Sequence, residues 1–421
     1  MAEVPVKPYT DVQVQSIRRR SISVLALGQI LGGLGGGATL TLGSLLIVHL
    51  SGLDSLAGMA ATMNTLGAAA MAIPLAMLAH KYGRRISLST GALIAAFGSA
   101  LIVTAAILGS VPLLFIGMLV LGTASAMNLQ SRFAATDLSS EATRGRDLSL
   151  VVWTTTIGAV IGPNLFAPGE VVSQAFGLPE YTGGFLIAMA AQVIGMIIYF
   201  SGLRPDPMKV ALVQSKEPAH KPRRGGGFRL LREIPAARRA VITVALSHAY
   251  MVSLMSMTPV HMQHHGATLT IIGLTISLHV LGMYALSPVF GWLTDKVGGR
   301  TVVLAGQILF ISASLCVWFA PTNATVVTVA LGLLGLGWSA STVAGSTMVS
   351  GAVPVQDRTS LQGTSDLLMN LAGAAGGLSA GPILAVFGFH GLALGLLVLA
   401  AIVVLVNRRT STPVPAMLTL D

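Results

Sequence analysis

Gly291-Trp292-Leu293-Thr294-Asp295-Lys296-Val297-Gly298-Gly299-Arg300 is a short polar stretch between two long apolar runs, and the chain contains a second version of it. The earlier version is Ala76-Met77-Leu78-Ala79-His80-Lys81-Tyr82-Gly83-Arg84-Arg85, about half the chain away. Arg144 and Arg358 have nearly the same separation, and Gly158-x-x-x-Gly162-Pro163 returns as Gly377-x-x-x-Gly381-Pro382. A repeat of this length predicts a protein built from two similar halves.

The regions around these stretches are apolar enough to lie in a membrane. Hydrophobic residues make up 53% of the 421 residues and charged residues only 10%, with a mean hydropathy of +0.78. Apolar runs of membrane-spanning length occur at residues 21–49, 54–79, 86–108, 112–134, 147–168, 182–202, 240–262, 268–292, 301–320, 324–350, 360–386 and 389–407. They predict an all-α integral membrane protein with twelve transmembrane helices in two six-helix halves.

The boundary between the halves is predicted from composition. We assign residues 1–202 to the N-terminal half, residues 240–421 to the C-terminal half, and residues 203–239 to a linker. The linker is basic and contains helix-breaking residues, namely Pro205, Pro207, Pro218, Pro222 and Gly225-Gly226-Gly227. This composition favours a mobile segment over a folded one.

The positive charges fall on one side of the predicted membrane. The 25 Lys and Arg residues lie at the N-terminus, in every second loop and at the C-terminus, and the alternate loops carry none. This positive-inside pattern predicts a multi-pass protein of the bacterial cytoplasmic membrane with both termini in the cytoplasm. It also explains the net charge of +10 without a nucleic acid, so the lipid bilayer is the expected partner.

The repeated stretch resembles the signature G-x-x-x-D-[RK]-x-G-[RK]-[RK] of the major facilitator superfamily. The resemblance extends over the whole chain through the twelve-helix, two-half plan, and it implies that these loops lock the cytoplasmic side in the outward-open state. The candidate gate residues are Asp295, Lys296, Arg300, His80, Lys81, Arg84 and Arg85. His80 stands where the signature has Asp. Because a neutral His cannot cap a helix N-terminus as an aspartate does, the first copy departs from the pattern.

Two neighbouring predicted helices each carry a pair of soft metal ligands. Met251 and Met255 lie in the seventh segment, His279 and Met283 lie in the eighth, and each pair shares one helix face through its i, i+4 spacing. In an ideal antiparallel hairpin Met255 is level with His279, and Met251 with Met283. Three thioethers and an imidazole suit a soft ion such as Cu(I). Methionine in membrane helices usually packs, so the hypothesis depends on its combination with an intramembrane His.

This paired motif is similar to that of the CcoA-like copper-uptake transporters, a branch of the major facilitators. The resemblance implies copper import for cytochrome oxidase assembly, with copper as substrate rather than cofactor and with delivery to a cytoplasmic acceptor. We expect a monomer without cofactors. A sister group includes relatives of riboflavin transporters, so the resemblance leaves a riboflavin-like substrate open.

Further candidates follow the predicted path of the ion. One group forms either an external capture site for copper or a solvated turn, and comprises His261, Met262, His264 and His265. Met59 and Met63 either pass the ion inward or pack in the second segment. His248 lies one turn from Met251 and is either a second ligand or a proton carrier. Asp366 is either a proton site or an ion-pair partner at the gate.

Other functions are weighed by what the sequence contains. A drug–proton antiporter is disfavoured because the first segment has no acidic residue and Met118 stands where the antiporter pattern has Arg. A carrier for an organic solute remains an alternative. The sequence contains nothing that resembles a nucleotide-binding loop or a hydrolytic site, so we do not expect an enzyme.

Overall fold

The computed structural model describes residues 9–53, 56, 59–161, 166–215 and 226–408, and the backbone in these ranges is almost entirely helical. In chain order the helices are α1 (Asp11–Ser51), α2 (Met59–Tyr82), α3 (Arg84–Leu108), α4 (Val111–Leu121), α5 (Thr123–Ala134), α6 (Arg144–Ile161), α7 (Phe166–Ala175), α8 (Gly183–Gly202), α9 (Pro207–Gln214), α10 (Gly226–Glu233), α11 (Pro235–His264), α12 (Leu269–Tyr284), α13 (Ser287–Val297), α14 (Gly299–Phe319), α15 (Ala324–Gly351) and α16 (Val355–Arg408).

These helices confirm the predicted all-α membrane architecture. Among the described residues, nine helical stretches are long and apolar enough to cross a membrane. The longest, α16, is broken at Gly388, whose φ of 69° lies in the left-handed region, so it contains two of the predicted spans. Helices α1 and α6 occupy the first and fifth predicted segments. These two helices, the two spans within α16 and the other eight apolar stretches account for the twelve predicted spans.

The two halves meet mainly where α2 and α6 of the N-terminal half pack against helices of the C-terminal half. Helix α2 packs against α16, and α6 packs against α12 and α13. Small residues permit this close approach: a side chain at Gly363 would collide with Ala76, and one at Gly291 would meet the backbone oxygen of Gly145. Within the C-terminal half, α15 packs against α11, α12, α13 and α14 and forms its centre.

The linker is partly folded, so the expectation of a wholly mobile segment is wrong. Helix α9 begins after Asp206, whose carboxylate accepts hydrogen bonds from the backbone of Met208 and Lys209. Helix α10 packs on α16, where Gly227 lies against Thr364. The amino-acid composition of the linker does not predict these helices, because α9 is stabilised by its cap and α10 by packing against α16.

Some predicted features lie outside the described residues. They are the chain ends at residues 1–8 and 409–421, the linker segment 216–225 with Pro218, Pro222 and Gly225, and the Gly162-Pro163 part of the repeated motif.

The two ends of the helix bundle differ in charge. The loops α2–α3, α5–α6 and α13–α14 and the two described chain ends lie at one end, which we call the basic face because it carries the clustered Lys and Arg residues. Arg300 donates a hydrogen bond to the backbone oxygen of Arg408 there, at 2.6 Å. We call the other end the opposite face.

Candidate functional site

At the basic face, Asp295 connects the two halves. Its carboxylate accepts hydrogen bonds from the backbone N–H groups of Gly145 at 2.6 Å and Arg146 at 2.8 Å, in the first turn of α6. A carboxylate in this position satisfies otherwise unpaired N–H groups and interacts favourably with the helix dipole. Asp295 therefore has the geometry of the predicted lock.

The neighbouring basic residues of this copy serve the local structure. The Lys296 ammonium lies 4.7 Å from the centre of the Trp292 ring, a cation–π contact on α13 itself. Arg300 ties the start of α14 to the end of α16 through the Arg408 carbonyl. Asp295 thus bonds across the halves, whereas these contacts of Lys296 and Arg300 lie within the C-terminal half.

The first copy closes the basic face through different groups. His80 Nδ1 lies 3.2 Å from the Thr359 hydroxyl, near the start of α16. Arg84 is buried, pairs with Asp137 at 2.8 Å, and donates a second hydrogen bond to Gln362 of the other half at 2.7 Å. Burial raises the pKa of the Asp137 carboxyl, and the Arg84 guanidinium opposes that rise. His80 and Arg84 therefore both contact α16 of the C-terminal half.

Lys81 and Arg85 make contacts within the N-terminal half. The Lys81 ammonium lies 5.0 Å from the centre of the Tyr82 ring, and the Arg85 guanidinium lies 4.6 Å from that of Phe200. The backbone N–H of Arg85 donates to Asp206 at 2.8 Å. These two residues stabilise the loop rather than the junction between halves.

Deeper in the protein, a buried ion pair joins the halves. Arg132 of α5 donates to Asp366 of α16 at 2.7 Å, and both side chains are almost completely buried. The Arg132 guanidinium also contacts the Met369 sulfur at 3.5 Å. One carboxylate oxygen, Asp366 Oδ2, is buried without a hydrogen-bond partner among the described residues. Asp366 therefore has an ion-pair partner and a second oxygen that can accept a proton.

His248 lies beside the ring of Trp338, near the Arg132–Asp366 pair. The Trp338 indole donates to His248 Nδ1 at 3.0 Å, so the proton of a neutral His248 lies on Nε2. Trp338 also makes an edge-to-face contact with Tyr284, with ring centres 5.7 Å apart. Because the acceptor nitrogen of His248 is already engaged, this arrangement favours a non-ligand role.

The predicted ligand pairs lie in the C-terminal half. Met251 and Met283 are buried and Met255 is partly buried, and all three belong to one apolar cluster. His279 is completely buried on α12. Its Nδ1–H donates to the backbone oxygen of Leu331 on α15 at 2.9 Å, while Nε2 is buried without a hydrogen-bond partner among the described residues.

The structure does not show α11 and α12 packed as the predicted close hairpin. Helix α12 packs against α15, because Gly335 has no side chain to collide with the backbone oxygen of His279. Helix α11 packs mainly against α16, where Gly373 makes room for His248 and Gly376 for Ser253. These glycine contacts outweigh the short connection between α11 and α12.

The outer histidine pocket is a cavity of about 170 Å³ at the opposite face, lined in part by His261, Met262 and His265. His261 donates through Nε2–H to the Pro321 carbonyl at 2.7 Å, and its ring stacks on Phe389. His265 donates through Nδ1–H to the His261 carbonyl at 2.8 Å. Each imidazole therefore retains one nitrogen with a lone pair, and the two ring centres are 4.2 Å apart.

The other predicted capture residues lie outside this pocket. His264 is exposed and does not line it. Met59 and Met63 pack against an apolar cluster of the N-terminal half. In the described ranges, no group of three or more His, Cys, Asp or Glu side chains is arranged to hold a metal ion.

Comparison with known proteins agrees with this architecture. The family model described as "Major Facilitator Superfamily" matches residues 25–266 and 240–417. The chain belongs to the major facilitator superfamily. It is accordingly a multi-pass membrane transporter rather than an enzyme.

Individual relatives extend over almost the whole length of this major facilitator. It is 36% identical to the MFS-type transporter YdeG of Bacillus subtilis, over 94% of this chain and 93% of that protein. It is 27% identical to the riboflavin transporter RfnT of Brucella anthropi, over 87% of this chain and 89% of that protein. The structure of the human organic anion transporter MFSD10 superposes with a TM-score of 0.72 at 17% identity, over 93% of this chain and 99% of that one.

Sequence reasoning missed several residues that connect the halves of this transporter. Arg132, Asp137 and Gln362 were not singled out as gate residues, although their contacts cross or support the junction. A charged residue inside an apolar run is a signal of function. Arg132 stands near the end of such a run, and that position was the available clue.

We predict that Asp295→Asn shifts this transporter toward a state that is open at the basic face. The amide can still accept a hydrogen bond, so the substitution removes mainly the charge at the start of α6. Such a charge contributes about 0.3–1 kcal/mol when exposed and up to about 2 kcal/mol when partly buried. Spin labels at Tyr82 and Thr301, exposed positions of the two halves, should report longer distances.

The labelling experiment has a simple background and a matched control. Cys316 is the chain's only cysteine, so Cys316→Ser gives a protein without reactive thiols. Glu141→Gln removes an exposed charge from the loop before α6 and should leave the distances unchanged. Identical distance distributions in Asp295→Asn and the unsubstituted protein would contradict the lock.

Proposed function

We propose that this transporter imports copper across the cytoplasmic membrane of a bacterium by alternating access, supplying cytochrome oxidase assembly. In this proposal the basic face, with both termini, lies in the cytoplasm, as the positive-inside rule predicts. The observation that carries the proposal is the state of His279. Its Nδ1–H is fixed on a backbone carbonyl, and its buried Nε2 has no hydrogen-bond partner among the described residues.

This arrangement of an imidazole is the one that metal sites use. A metal-binding His almost always donates its other ring N–H to a carboxylate, a carbonyl or water, which fixes the tautomer and aims the lone pair. A polar nitrogen buried without a partner is otherwise costly. Copper at Nε2 would replace the missing interaction.

The thioethers of Met251, Met255 and Met283 would complete the site. Thioether sulfur is a soft ligand that suits Cu(I) and tolerates an apolar environment. Because α11 and α12 are not packed together, the proposal requires them to approach when the ion binds. The contact of α15 with both helices provides a common surface for that movement.

The contacts that close the basic face suit the stage of the proposed import cycle at which the ion enters. With the basic face closed by Asp295 and Arg84, the ion would arrive from the opposite face. The outer histidine pocket would capture it through Nδ1 of His261, Nε2 of His265 and the sulfur of Met262. Opening of the basic face would then release it to a cytoplasmic copper acceptor.

A second candidate is a carrier of a flat organic solute such as riboflavin. It is favoured by the cluster of Trp338, Tyr284 and His248 beside the Arg132–Asp366 pair, because aromatic rings stack on planar ligands. The similarity to the riboflavin transporter RfnT supports the same alternative.

Two measurements separate these functions. We expect cells that express this protein to accumulate isotopic copper faster than cells without it. Calorimetry on the purified protein should show binding of Ag(I), a redox-inert mimic of Cu(I), and no binding of riboflavin. Tight riboflavin binding without silver binding would reject copper and establish the organic-solute carrier.

A further inference from the structure

A basic cavity lies at the junction of the halves. It encloses about 320 Å³ at the basic face, and its lining includes Arg144, Arg239 and Arg300. Asn407 and the apolar side chains of Met348 and Ala352 line it as well. None of its lining residues is acidic.

Three different helices bring the arginines together. Arg144 begins α6 in the N-terminal half, whereas Arg239, the last residue of the predicted linker, lies on α11 and Arg300 lies on α14, both helices of the C-terminal half. Gly351 makes room for Arg144, because a side chain there would lie 2.7 Å from its Nη1. Arg144 Nε is buried without a hydrogen-bond partner among the described residues. The site is thus shaped by both halves and leaves a guanidinium donor unused.

The charges around the cavity favour an anion. Of the two carboxylates that interact electrostatically with Arg144, Glu141 is exposed and Asp295 accepts the backbone N–H groups of Gly145 and Arg146. Burial lowers the pKa of Arg144, and these two carboxylates oppose that effect. An arginine nevertheless stays charged at neutral pH. Positive groups that share one cavity repel each other, and an anion between them removes that repulsion.

We propose that this cavity binds the phosphate group of an anionic ligand. Guanidinium groups form paired hydrogen bonds with phosphate oxygens. Basic pockets between membrane helices at the cytoplasmic side are typical binding places for acidic phospholipid headgroups. Because Arg144 belongs to one half and Arg239 and Arg300 to the other, a bound phosphate bridges the halves and stabilises the closed basic face.

The test uses the full-length protein, purified and delipidated in detergent. Native mass spectrometry should show binding of added phosphatidylglycerol, which is acidic, and much weaker binding of added phosphatidylcholine, which has no net charge. Calorimetry with inorganic phosphate tests the free anion as the source. Phosphate binding without a preference for phosphatidylglycerol would assign the site to a soluble phosphate compound.

Two adjacent arginines provide matched variants. Arg239→Gln should weaken phosphatidylglycerol binding about fivefold, as expected for the loss of one basic residue near an anionic lipid. Arg238→Gln removes the same charge from an exposed position that does not line the cavity, and should change binding little. The proposal would be overturned if Arg239→Gln and Arg238→Gln weakened binding equally. It would also be overturned if neither variant weakened the binding of phosphatidylglycerol or of inorganic phosphate. Thermal unfolding checks that both variants are folded.

Discussion

His279→Ala should abolish high-affinity silver binding and copper uptake while leaving the protein folded in the membrane. The substitution removes the fully buried lone pair at Nε2, which is the only nitrogen among the four proposed ligands. Loss of an outer-shell partner alone typically costs about 10–100-fold in metal affinity, and loss of the ligand itself should cost at least as much. Calorimetry with Ag(I) and isotopic uptake measure the effect.

The same experiment distinguishes a metal ligand from a packing residue. His279→Met retains a soft ligand and should keep silver binding. It should also remove the weakening of binding at low pH that protonation of the imidazole produces. Met283→Leu conserves volume but removes the sulfur, so it should reduce silver binding without a large loss of stability. His264→Ala, at an exposed position, is the control. Unchanged silver binding in both His279→Ala and Met283→Leu would reject the site.

The membrane architecture is readable from the sequence because it depends on local composition. The apolar runs set the spans, the repeated stretch at 76–85 and 291–300 sets the two halves, and Asp295 lies at the helix start that the signature implied. These features follow from the cost of unpaired polar groups in lipid. They need no knowledge of which helices are neighbours.

The candidate site depends on helix packing, which the sequence reveals less directly. The partner of Asp366 is Arg132, far away in the chain, and no spacing rule connects them. The expected α11–α12 hairpin failed because glycines on α15 and α16 offered closer packing than the short turn did. His279 was identified as unusual, but its Leu331 partner was not.

Loss of either member of the buried Arg132–Asp366 pair should destabilise the protein, but by different amounts. Asp366→Asn should lower the free energy of unfolding by about 3–5 kcal/mol, the cost of leaving one member of a buried pair uncompensated. Arg132→Met should cost less. A buried carboxyl can take up a proton and become neutral, whereas a guanidinium cannot lose one. The order of the two thermal unfolding temperatures in detergent tests this asymmetry.

The double variant Arg132→Met with Asp366→Leu should recover most of the lost stability, since apolar residues of similar volume often replace a buried pair at no cost. Glu233→Gln breaks the partly exposed Arg229–Glu233 pair on α10 and should cost only about 0.3–0.5 kcal/mol.

Transport by the double variant tests what the buried pair does. If the stable double variant still transports, the Arg132–Asp366 pair only holds the halves together. Protonation of His279 also makes uptake depend on pH. If the double variant folds but loses a pH dependence of uptake that is still present in His279→Met, Asp366 carries a proton. Equal destabilisation by Asp366→Asn and Arg132→Met would show that neither group is neutralised, against the asymmetry argued from the unpartnered Oδ2.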